Sequence, residues 1–301
     1  MITSEFTGIF RSVKSIRELL KTASSVLENV GIPDARREAC GLLEAASGLT
    51  RTGVISNPER LIESEVEKLF SSYVERRARR EPFHYIIGKK DFFGLEFEVD
   101  ARVLIPRPET EFLVECALEG FRNIEHPFFC EVGVGSGCIS VSILKTLANA
   151  KAVGFDISKD AIDVAAFNAI AHGVENRIEF VESDIFTNSP SSYVFDAILS
   201  NPPYIAVGDL NGLESEVKDY EPRLALTDGE SGLSLIKRII EDGFDLLRES
   251  GFMAIEIGFD QAGAVESMFS EEKWMNLHFI KDLQGHERIA VATRRPSPAS
   301  K

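Results

Sequence analysis

The residues best suited to chemistry are Asn201 to Tyr204, read N-P-P-Y, which directly follow the apolar run F-D-A-I-L-S. An amide or exocyclic amine nitrogen is a poor nucleophile because its lone pair is delocalised, so it needs hydrogen-bond acceptors before it can attack a methyl group. The Asn201 side-chain oxygen and the Pro202 carbonyl are such acceptors, and Tyr204 can pack against the planar group. Pro202 and Pro203 stiffen the turn and bring no competing N–H donors. The tetrapeptide therefore predicts N-methylation, although alone it also suits a simple Asn-Pro turn.

A glycine-rich loop lies between an apolar strand and a helix, in the segment F-F-C-E-V-G-V-G-S-G-C-I. Its third glycine comes too early for the dinucleotide fingerprint G-x-G-x-x-G. The E-x-G-x-G-x-G form instead indicates a methionine-bearing nucleoside without a pyrophosphate, whose ammonium and sulfonium charges Glu131 can attract. Glycines let the backbone turn sharply and let a ligand lie against it. The predicted cofactor contacts of this loop are Glu131, Gly133, Val134, Gly135, Ser136 and Gly137.

Two further carboxylates follow the next two strands. Asp156, in V-G-F-D-I-S, lies about 20 residues past the glycine loop, where a carboxylate can accept both hydroxyls of a ribose. Asp184, in V-E-S-D-I-F, can accept an adenine amino group, with Ile185 beside the base. Ile157 and Asn201 complete the predicted cofactor contacts. A lone glycine loop is often a plain strand–helix turn, but three strand ends in order, each with a suitable side chain, indicate a nucleoside site.

The elements that must position these residues alternate between strand and helix from residue 127 onward. Such alternation is typical of an α/β fold with a mostly parallel sheet and helices on both faces. The predicted strands are 128–132, 152–156, 178–182, 194–200, 252–257, 276–282 and 288–293, and the predicted helices are 137–148, 159–171, 231–248 and 260–268.

The first part of the chain has a different pattern. Residues 14–80 place apolar side chains at helical spacing and contain no glycine-rich loop or catalytic cluster. Residues 83–105 alternate apolar and polar side chains around Gly88 and Gly94, which predicts a β-hairpin. The predicted regions are a helical domain at 1–81, whose role must be contact or support, a β-hairpin linker at 82–112 and the methyltransferase domain at 113–301.

The charge of the chain argues against a nucleic-acid partner. Its 33 basic and 48 acidic residues give a net charge of −15, and an acidic surface repels phosphates. Its four cysteines form no C-x-x-C pair, so neither a zinc site nor a redox dithiol is indicated. No signal peptide or membrane span is recognisable. We expect a monomeric cytoplasmic protein with no metal, no membrane contact and no direct nucleic-acid target.

Taken together, these motifs resemble the release-factor glutamine methyltransferases, the HemK/PrmC family. The resemblance covers about residues 82–294, and its most discriminating piece is L-I-P-R-P-E-T-E at 104–111. The other pieces are F-H-Y-I-I-G-K-K-D-F-F-G-L-E-F-E-V, E-V-G-V-G-S-G, N-P-P-Y and Y-E-P-R-L-A-L-T-D-G-E-S-G-L. The resemblance implies a Rossmann-like class I S-adenosylmethionine-dependent methyltransferase domain with a mostly parallel seven-stranded sheet. It also implies a small N-terminal helical domain that docks the substrate.

The resemblance further implies that the methyl acceptor is the side-chain amide of the glutamine in the G-G-Q motif of class 1 peptide release factors. Carried over by position, Gly133 to Gly137 and Asp156 hold the cofactor, Ile185 lies beside the adenine, and Asn201 to Tyr204 hold the glutamine. The sequence departs from the family at Glu131, where the family usually has Asp. The charge is retained, so we expect little change.

Other interpretations stay open at this point. A ribosomal-protein glutamine methyltransferase would share the fold and N-P-P-Y. A DNA or RNA amino-methyltransferase would share N-P-P-Y but lacks the R-P-E-T-E segment, and a non-catalytic cofactor-binding scaffold would have no need of Asn201. Release-factor methylation is the preferred prediction because R-P-E-T-E is present.

The charged residues around the predicted site also have alternative roles. Glu109 and Glu111 can line the cofactor entrance or serve the start of the following helix. Arg107 can contact a substrate carbonyl, pair with Glu221 or form a surface ion pair. The run R-R-A-R-R at 76–80 is either a basic patch or, preferably, a solvated helix end.

Overall fold

The chain folds as two units, and the computed structural model describes residues 14–190 and 192–297. The first unit is Met1–Ile87 and the second is Gly88–Lys301. Residues 1–13, which begin the predicted helical domain, lie outside the described residues. Among the described residues, no helix is both long enough and apolar enough to cross a lipid bilayer.

The first unit is helical, and its first helix starts at a capping box. Ser15 Oγ accepts the Glu18 N–H, while the Glu18 carboxylate accepts the Ser15 N–H. The buried side chains of this helix, among them Leu19, Leu20 and Leu27, recur at helical spacing and join the core of the unit. The helices are α1 (Ile16–Asn29), α2 (Ala35–Ser47), α3 (Arg51–Ser56), α4 (Ser64–Ala78) and α5 (Phe83–Ile87).

The basic run at the end of α4 contains structural arginines. Arg77 is only 3% exposed; its guanidinium donates to the Glu38 carboxylate and to the Glu81 carbonyl. The neighbouring Arg76 donates to the Glu81 carboxylate, with Nε 2.8 Å from Oε2. For Arg77, the preferred interpretation as a solvated helix end is wrong, because its side chain is buried in an ion pair within the unit.

The β-hairpin prediction is wrong over residues 83–87, which form α5. The Pro82 carbonyl accepts the N–H groups of Tyr85 and Ile86 at 3.0 and 3.1 Å, so the segment starts as a helical turn after the proline. Phe83, Ile86 and Ile87 pack against the core of the first unit. Burying these side chains on one face of a helix stabilises the helical conformation, although the alternating pattern of the sequence predicts a strand.

The second unit begins with the true hairpin. Its strands β1 (Lys89–Phe92) and β2 (Leu95–Glu98) are antiparallel and are joined by Phe93 and Gly94. Both turn residues have positive φ, 50° and 72°, as a tight two-residue hairpin turn requires. The hairpin is shorter than the predicted linker, and a loop follows it up to the 3-10 turn Pro108–Thr110.

A seven-stranded sheet forms the centre of the second unit, in the order β5-β4-β3-β6-β7-β9-β8. β9 is antiparallel to both of its neighbours, and the other pairs are parallel. The α/β prediction of a mostly parallel sheet is confirmed. The strands are β3 (Phe128–Val132), β4 (Lys151–Asp156), β5 (Ile178–Glu182), β6 (Phe195–Ser200), β7 (Leu247–Glu256), β8 (Trp274–Lys281) and β9 (Glu287–Arg294).

Helices cover the two faces of this sheet and bury separate apolar clusters against it. The central strand β6 is buried along its whole length, as expected of a parallel strand covered on both faces. The helices are α6 (Glu111–Gly120), α7 (Cys138–Thr146), α8 (Lys159–Ala171), α9 (Ser215–Tyr220), α10 (Arg223–Leu226), α11 (Ser234–Gly243) and α12 (Ala262–Glu266).

The predicted helix 231–248 is too long at its C-terminal end. α11 ends at Gly243, a 3-10 turn covers Phe244–Leu246, and β7 begins at Leu247. Leu247 is fully buried and pairs with Phe195 before the ladder shifts register. The burial of Leu247 in the sheet makes this residue part of a strand. The apolar side chains before it have helical spacing, so the sequence pattern does not show where the helix ends.

We expect Arg77→Ala to lower the free energy of unfolding of the protein by about 3 kcal/mol, because it leaves the Glu38 carboxylate without its partner and opens a gap beside α2. Denaturant unfolding followed by circular dichroism measures this change. The control is Arg17→Ala, since Arg17 and Glu59 form an exposed ion pair whose loss changes stability by less than about 1 kcal/mol. Equal stability of the two variants would contradict the structural role of Arg77.

Candidate functional site

A cavity of about 320 Å³ lies at the carboxyl ends of the parallel strands β3, β4 and β6. Crevices at this edge are where open α/β sheets bind ligands. The structure brings most of the predicted site residues to its wall: Glu131, Gly133, Val134, Gly135, Ser136, Asp156, Ile157, Asp184, Ile185, Asn201 and Pro203. The predicted residues that do not line it are Gly137, Pro202 and Tyr204.

The three glycines of the loop have different structural roles. Gly133 and Gly135 have φ of 74° and 52° and line the cavity, and a Cβ added to Gly135 would meet no atom within 4 Å. The wall at Gly135 is therefore bare backbone that a ligand can approach closely. A Cβ at Gly137 would instead lie 3.2 Å from that of Ala165, so Gly137 serves the packing of α7 against α8.

Glu131 is a fully buried carboxylate at the end of β3. Its Oε2 accepts the Ser140 N–H at 2.9 Å and the Ser140 hydroxyl, whereas its Oε1 has no hydrogen-bond partner among the described residues. Burial raises the pKa of Glu131 to about 8, and the nearby Asp156 adds to this effect. A buried oxygen without a partner is costly. An ammonium group of a ligand in the cavity would satisfy it, as predicted for the methionine part of the cofactor.

Asp156 ends β4 and is held by backbone donors. Its Oδ2 accepts the Gly135 N–H and its Oδ1 accepts the Ser158 N–H, both at 2.9 Å. Burial raises the pKa of Asp156, and these hydrogen bonds act in the opposite direction. The two carboxylate oxygens keep lone pairs for further donors, so the position fits the predicted contact with two ribose hydroxyls.

The loop after β5 is less clearly suited to its predicted role. Asp184 is about half exposed and pairs with Arg238 at 3.0 Å, so its carboxylate already has a cationic partner. Ile185 is buried at the cavity wall and has a φ of 54°, which is rare for a β-branched residue. Backbone strain of this kind persists at functional sites. The apolar contact with a base therefore fits better here than the contact through Asp184.

The turn after β6 is anchored at both ends. Asn201 Nδ2 lies 3.0 Å from Thr110 Oγ1, and Thr110 Oγ1 lies 2.7 Å from Glu256 Oε2. Tyr204 donates its hydroxyl to Glu256 Oε1 at 3.3 Å and packs in the apolar cluster on that face of the sheet. Burial raises the pKa of Tyr204. Tyr204 is therefore placed to hold the turn; it does not line the cavity, and its packing against the acceptor stays a prediction.

A loop held by Asp228 supports the same turn from outside. The Asp228 carboxylate accepts the N–H groups of Glu230, Gly232 and Ser234 and the Ser234 hydroxyl. Although burial acts in the opposite direction, these hydrogen bonds lower the pKa of Asp228. Gly232 has a φ of 78°, and a Cβ there would lie 2.1 Å from the Tyr204 carbonyl oxygen. The loop thus packs directly on the backbone of the turn.

Arg107 and Glu221 form the ion pair that the sequence left as one of three alternatives. Arg107 Nη2 lies 2.6 Å from Glu221 Oε1, and the Glu221 side chain is 2% exposed. Burial raises the pKa of Glu221, whereas Arg107 lowers it. Arg107 lines the cavity. Glu111 does not line the cavity; it lies in the first turn of α6, as its second alternative has it, and its carboxylate also accepts the Phe93 N–H of the hairpin turn at 2.8 Å.

Thr110 and Glu256 were not among the predicted site residues. Thr110 lies in the R-P-E-T-E segment, whose charged residues are the more obvious candidates for a functional role. Glu256 follows the apolar run F-M-A-I. A carboxylate directly after an apolar strand was the signal that located Glu131 and Asp156, and it also marks Glu256.

Comparison with known proteins agrees with this geometry. A profile of the PrmC N-terminal domain matches residues 18–88, and a profile of a methyltransferase domain matches residues 127–271. The release factor glutamine methyltransferase of Caulobacter vibrioides is 38% identical over 92% of this chain and 96% of its own length. Proteins of the same name from Nitratidesulfovibrio vulgaris and Geobacter sulfurreducens are also 38% identical, over 93% and 91% of this chain and 95% of each of theirs.

Solved structures agree on the fold. The hMettl16 catalytic domain in complex with a MAT2A 3′UTR hairpin matches with a TM-score of 0.56 at 14% identity, over 81% of this chain and 87% of that one. A methyltransferase from Pyrococcus furiosus matches with a TM-score of 0.50 at 17% identity, over 74% of this chain and all of that one. At these identities the matches show a shared fold and nothing more. They confirm the Rossmann-like fold of the methyltransferase domain.

We expect the affinity for S-adenosylmethionine to weaken as the pH falls below about 8, because the raised pKa of Glu131 leaves its carboxyl neutral there and removes the attraction for an ammonium group. The dissociation constant should rise by at most roughly tenfold per pH unit. Calorimetric titrations at several pH values measure it, with Glu131→Gln as the control that loses this dependence. A dissociation constant that is independent of pH in the unmodified protein would contradict the role of Glu131.

Proposed function

Because the chain belongs to the release factor glutamine methyltransferase family, we propose that it methylates the side-chain amide nitrogen of the glutamine in the G-G-Q motif of class 1 peptide release factors. The methyl donor is S-adenosylmethionine. One observation of the structure carries the assignment of the site: the N-P-P-Y turn and the glycine loop face the same cavity, and a Cβ at Gly133 would lie 3.9 Å from the Asn201 carbonyl oxygen.

The cofactor supplies a methyl group made electrophilic by its sulfonium. Glu131 offers a buried carboxylate oxygen to the cofactor's ammonium group, and Asp156 offers its carboxylate to the ribose hydroxyls. The bare backbone at Gly135 lets the ligand approach without meeting a side chain. These contacts fix the position of the methyl group relative to the turn, and such positioning is worth roughly 7–11 kcal/mol in well-oriented reactions.

The chain's part in the methyl transfer is to hold the acceptor amide. Asn201 gives its Nδ2 hydrogen to Thr110, so its Oδ1 is the atom that can accept an N–H of the substrate glutamine. The Pro202 carbonyl is the second acceptor in this proposal. With both hydrogens held, the nitrogen lone pair can turn toward the methyl group. When bound, the cofactor would supply the methyl group, the N–C bond replacing the S–C bond, and the nitrogen would release one proton to solvent, so the residues of the turn need only hold the amide and supply no general base.

The fold also suits the rival acceptors, and a labelling experiment separates them. The purified protein is incubated with methyl-labelled S-adenosylmethionine and, in separate reactions, with a class 1 release factor, ribosomal proteins, DNA or RNA. We expect label on the release factor alone. A release factor whose G-G-Q glutamine is replaced by alanine is the control and should stay unlabelled. Label on ribosomal protein or nucleic acid instead would overturn the proposed substrate.

We expect Asn201→Ala to abolish turnover while the affinity for S-adenosylmethionine stays within about tenfold, or ~1.4 kcal/mol. The variant removes the acceptor for the substrate amide but leaves Glu131 and Asp156 in place. Single-turnover methylation and calorimetry measure the two quantities. Asp156→Ala is the matched comparison, because it should chiefly weaken cofactor binding. A loss of cofactor affinity of several decades in Asn201→Ala would instead make Asn201 mainly a cofactor ligand.

The helical unit, which overlaps the predicted domain 1–81, docks the release factor in this proposal. A groove along α1, α2 and α3 is lined by more basic than acidic side chains, although the whole chain carries a net charge of −15. The basic residues are Arg17, Lys21, Arg36, Arg37 and Arg51, and the acidic ones are Glu28 and Asp34. Such a groove supports the docking of an acidic protein surface. We propose in addition that the protein acts as a monomer in the cytoplasm and has no direct nucleic-acid target.

Replacing Arg36 and Arg37 together with glutamate tests this docking role, because both side chains are exposed on α2. We expect KM for the intact release factor to rise by roughly tenfold or more, since like charges then face each other. The same variant should keep its KM for a short G-G-Q peptide, which lacks the rest of the release-factor surface. Steady-state kinetics with both substrates measures the difference. An unchanged KM for the intact factor would remove the docking role of the groove.

A further inference from the structure

Glu256 is a buried carboxylate to which the methyl-transfer scheme gives no task. It ends β7, next to the turn that follows β6, and it is 1% exposed. It does not line the cavity. Its Oε2 accepts the Thr110 hydroxyl at 2.7 Å and its Oε1 accepts the Tyr204 hydroxyl at 3.3 Å. A buried charge is expensive to keep, so a carboxylate retained between two hydroxyls beside the acceptor turn calls for an explanation.

The hydrogen-bond count of Thr110 supplies that explanation. Thr110 is 2% exposed, and its hydroxyl has a single proton to donate. An ionised Glu256 accepts that hydrogen bond. Thr110 Oγ1 can then only accept a hydrogen bond from Asn201, so the Asn201 amide must turn its Nδ2 toward Thr110, as the 3.0 Å contact shows. This orientation leaves Oδ1 for the substrate. With the opposite flip, Asn201 would present N–H groups to the substrate N–H groups.

We propose that Glu256 is a positioning residue that acts through Thr110 to fix the flip of the Asn201 amide, and that it holds Tyr204 at the other end of the turn. This inference rests on the proposed function, because the flip matters only if Asn201 receives an amide. One carboxylate thus sets the orientation of the acceptor site at both ends without touching the substrate.

The charge state of Glu256 becomes a condition for activity. Burial raises the pKa of Glu256 to about 7; Thr110, Tyr204 and Arg288 lower it, and Glu109 raises it. The Cys138 thiol also faces it and stays neutral, because burial raises the pKa of Cys138. A protonated Glu256 can instead donate its own proton to Thr110 Oγ1, which frees the Thr110 hydroxyl proton for another acceptor. Thr110 can then donate to Asn201 Oδ1, and the amide can adopt the unproductive flip.

The first test compares Thr110→Val with Thr110→Ser at saturating S-adenosylmethionine and release factor. Valine keeps the shape of threonine but removes the hydroxyl, so kcat should fall by roughly 30-fold, the factor that corresponds to about 2 kcal/mol. Serine restores the hydroxyl and should keep kcat within about threefold of the original value, ~0.7 kcal/mol. Cofactor affinity and the unfolding midpoint should stay close to those of the unmodified protein in the serine variant.

A matched control removes a threonine hydroxyl elsewhere in the same unit. Thr146 donates to the Ser142 carbonyl within α7 and lies outside the cavity wall, so Thr146→Val should leave kcat unchanged. A kcat of Thr110→Val equal to that of the unmodified protein, in a protein that methylates the release factor, would overturn the positioning role. No methylation by the unmodified protein would instead refute the proposed function, so the two failures are distinguishable.

The second test uses Glu256→Gln, which cannot titrate. In the unmodified protein, kcat at saturating cofactor should rise with pH through a step near the pKa of Glu256, because kcat reports groups of the fully bound complex. Saturation also removes the contribution of Glu131 to cofactor affinity. The glutamine variant should lose this step. A step of the same size and position in both proteins would overturn the inference, even where the glutamine variant is less stable.

Discussion

The function of this chain depends on parallel strands that end together at one edge of a buried sheet. Glu131, Asp156 and Glu256 lie at the ends of β3, β4 and β7, and Asn201 directly follows β6. The ladders between these strands fix the positions of the four side chains, although they are far apart in the sequence. The proposed cofactor and acceptor sites therefore lie side by side because the strands share one register, and loops complete them.

This arrangement keeps ionisable groups where the hydrophobic core would otherwise exclude them. Glu131 and Glu256 are both almost fully buried, and burial raises the pKa of each to near neutrality. Each is held by hydroxyl or backbone donors, Ser140 for the first and Thr110 for the second. In our proposal, the cost of burying them is offset because Glu131 offers an ordered acceptor to a ligand and Glu256 offers one to the Thr110 hydroxyl, which in turn accepts from Asn201. The stability of the unit comes instead from the two apolar clusters on the faces of the sheet.

The sequence predicted the strands and the glycine-rich loop between β3 and α7 well, because each rests on a local pattern. An apolar run followed by a glycine or a carboxylate locates Glu131 and Asp156 without knowledge of the rest of the chain. It did not separate the packing role of Gly137 from the ligand-facing role of Gly135, since both have positive φ and only the neighbouring α8 differs. It also missed the Thr110 contacts, because they join segments 91 and 146 positions apart.

Gly232 packs directly on the backbone of the turn that carries Asn201 and Tyr204. No other residue fits there, because any Cβ would overlap the Tyr204 carbonyl, and the Asp228 carboxylate fixes the loop in that place through backbone N–H groups. Between these two fixed points, Glu230 and Ser231 are exposed. In a redesign of this protein for another planar acceptor, the loop has two kinds of position. The side chains of Glu230 and Ser231 can be varied, whereas Asp228 and Gly232 fix the backbone of the turn and have to be retained.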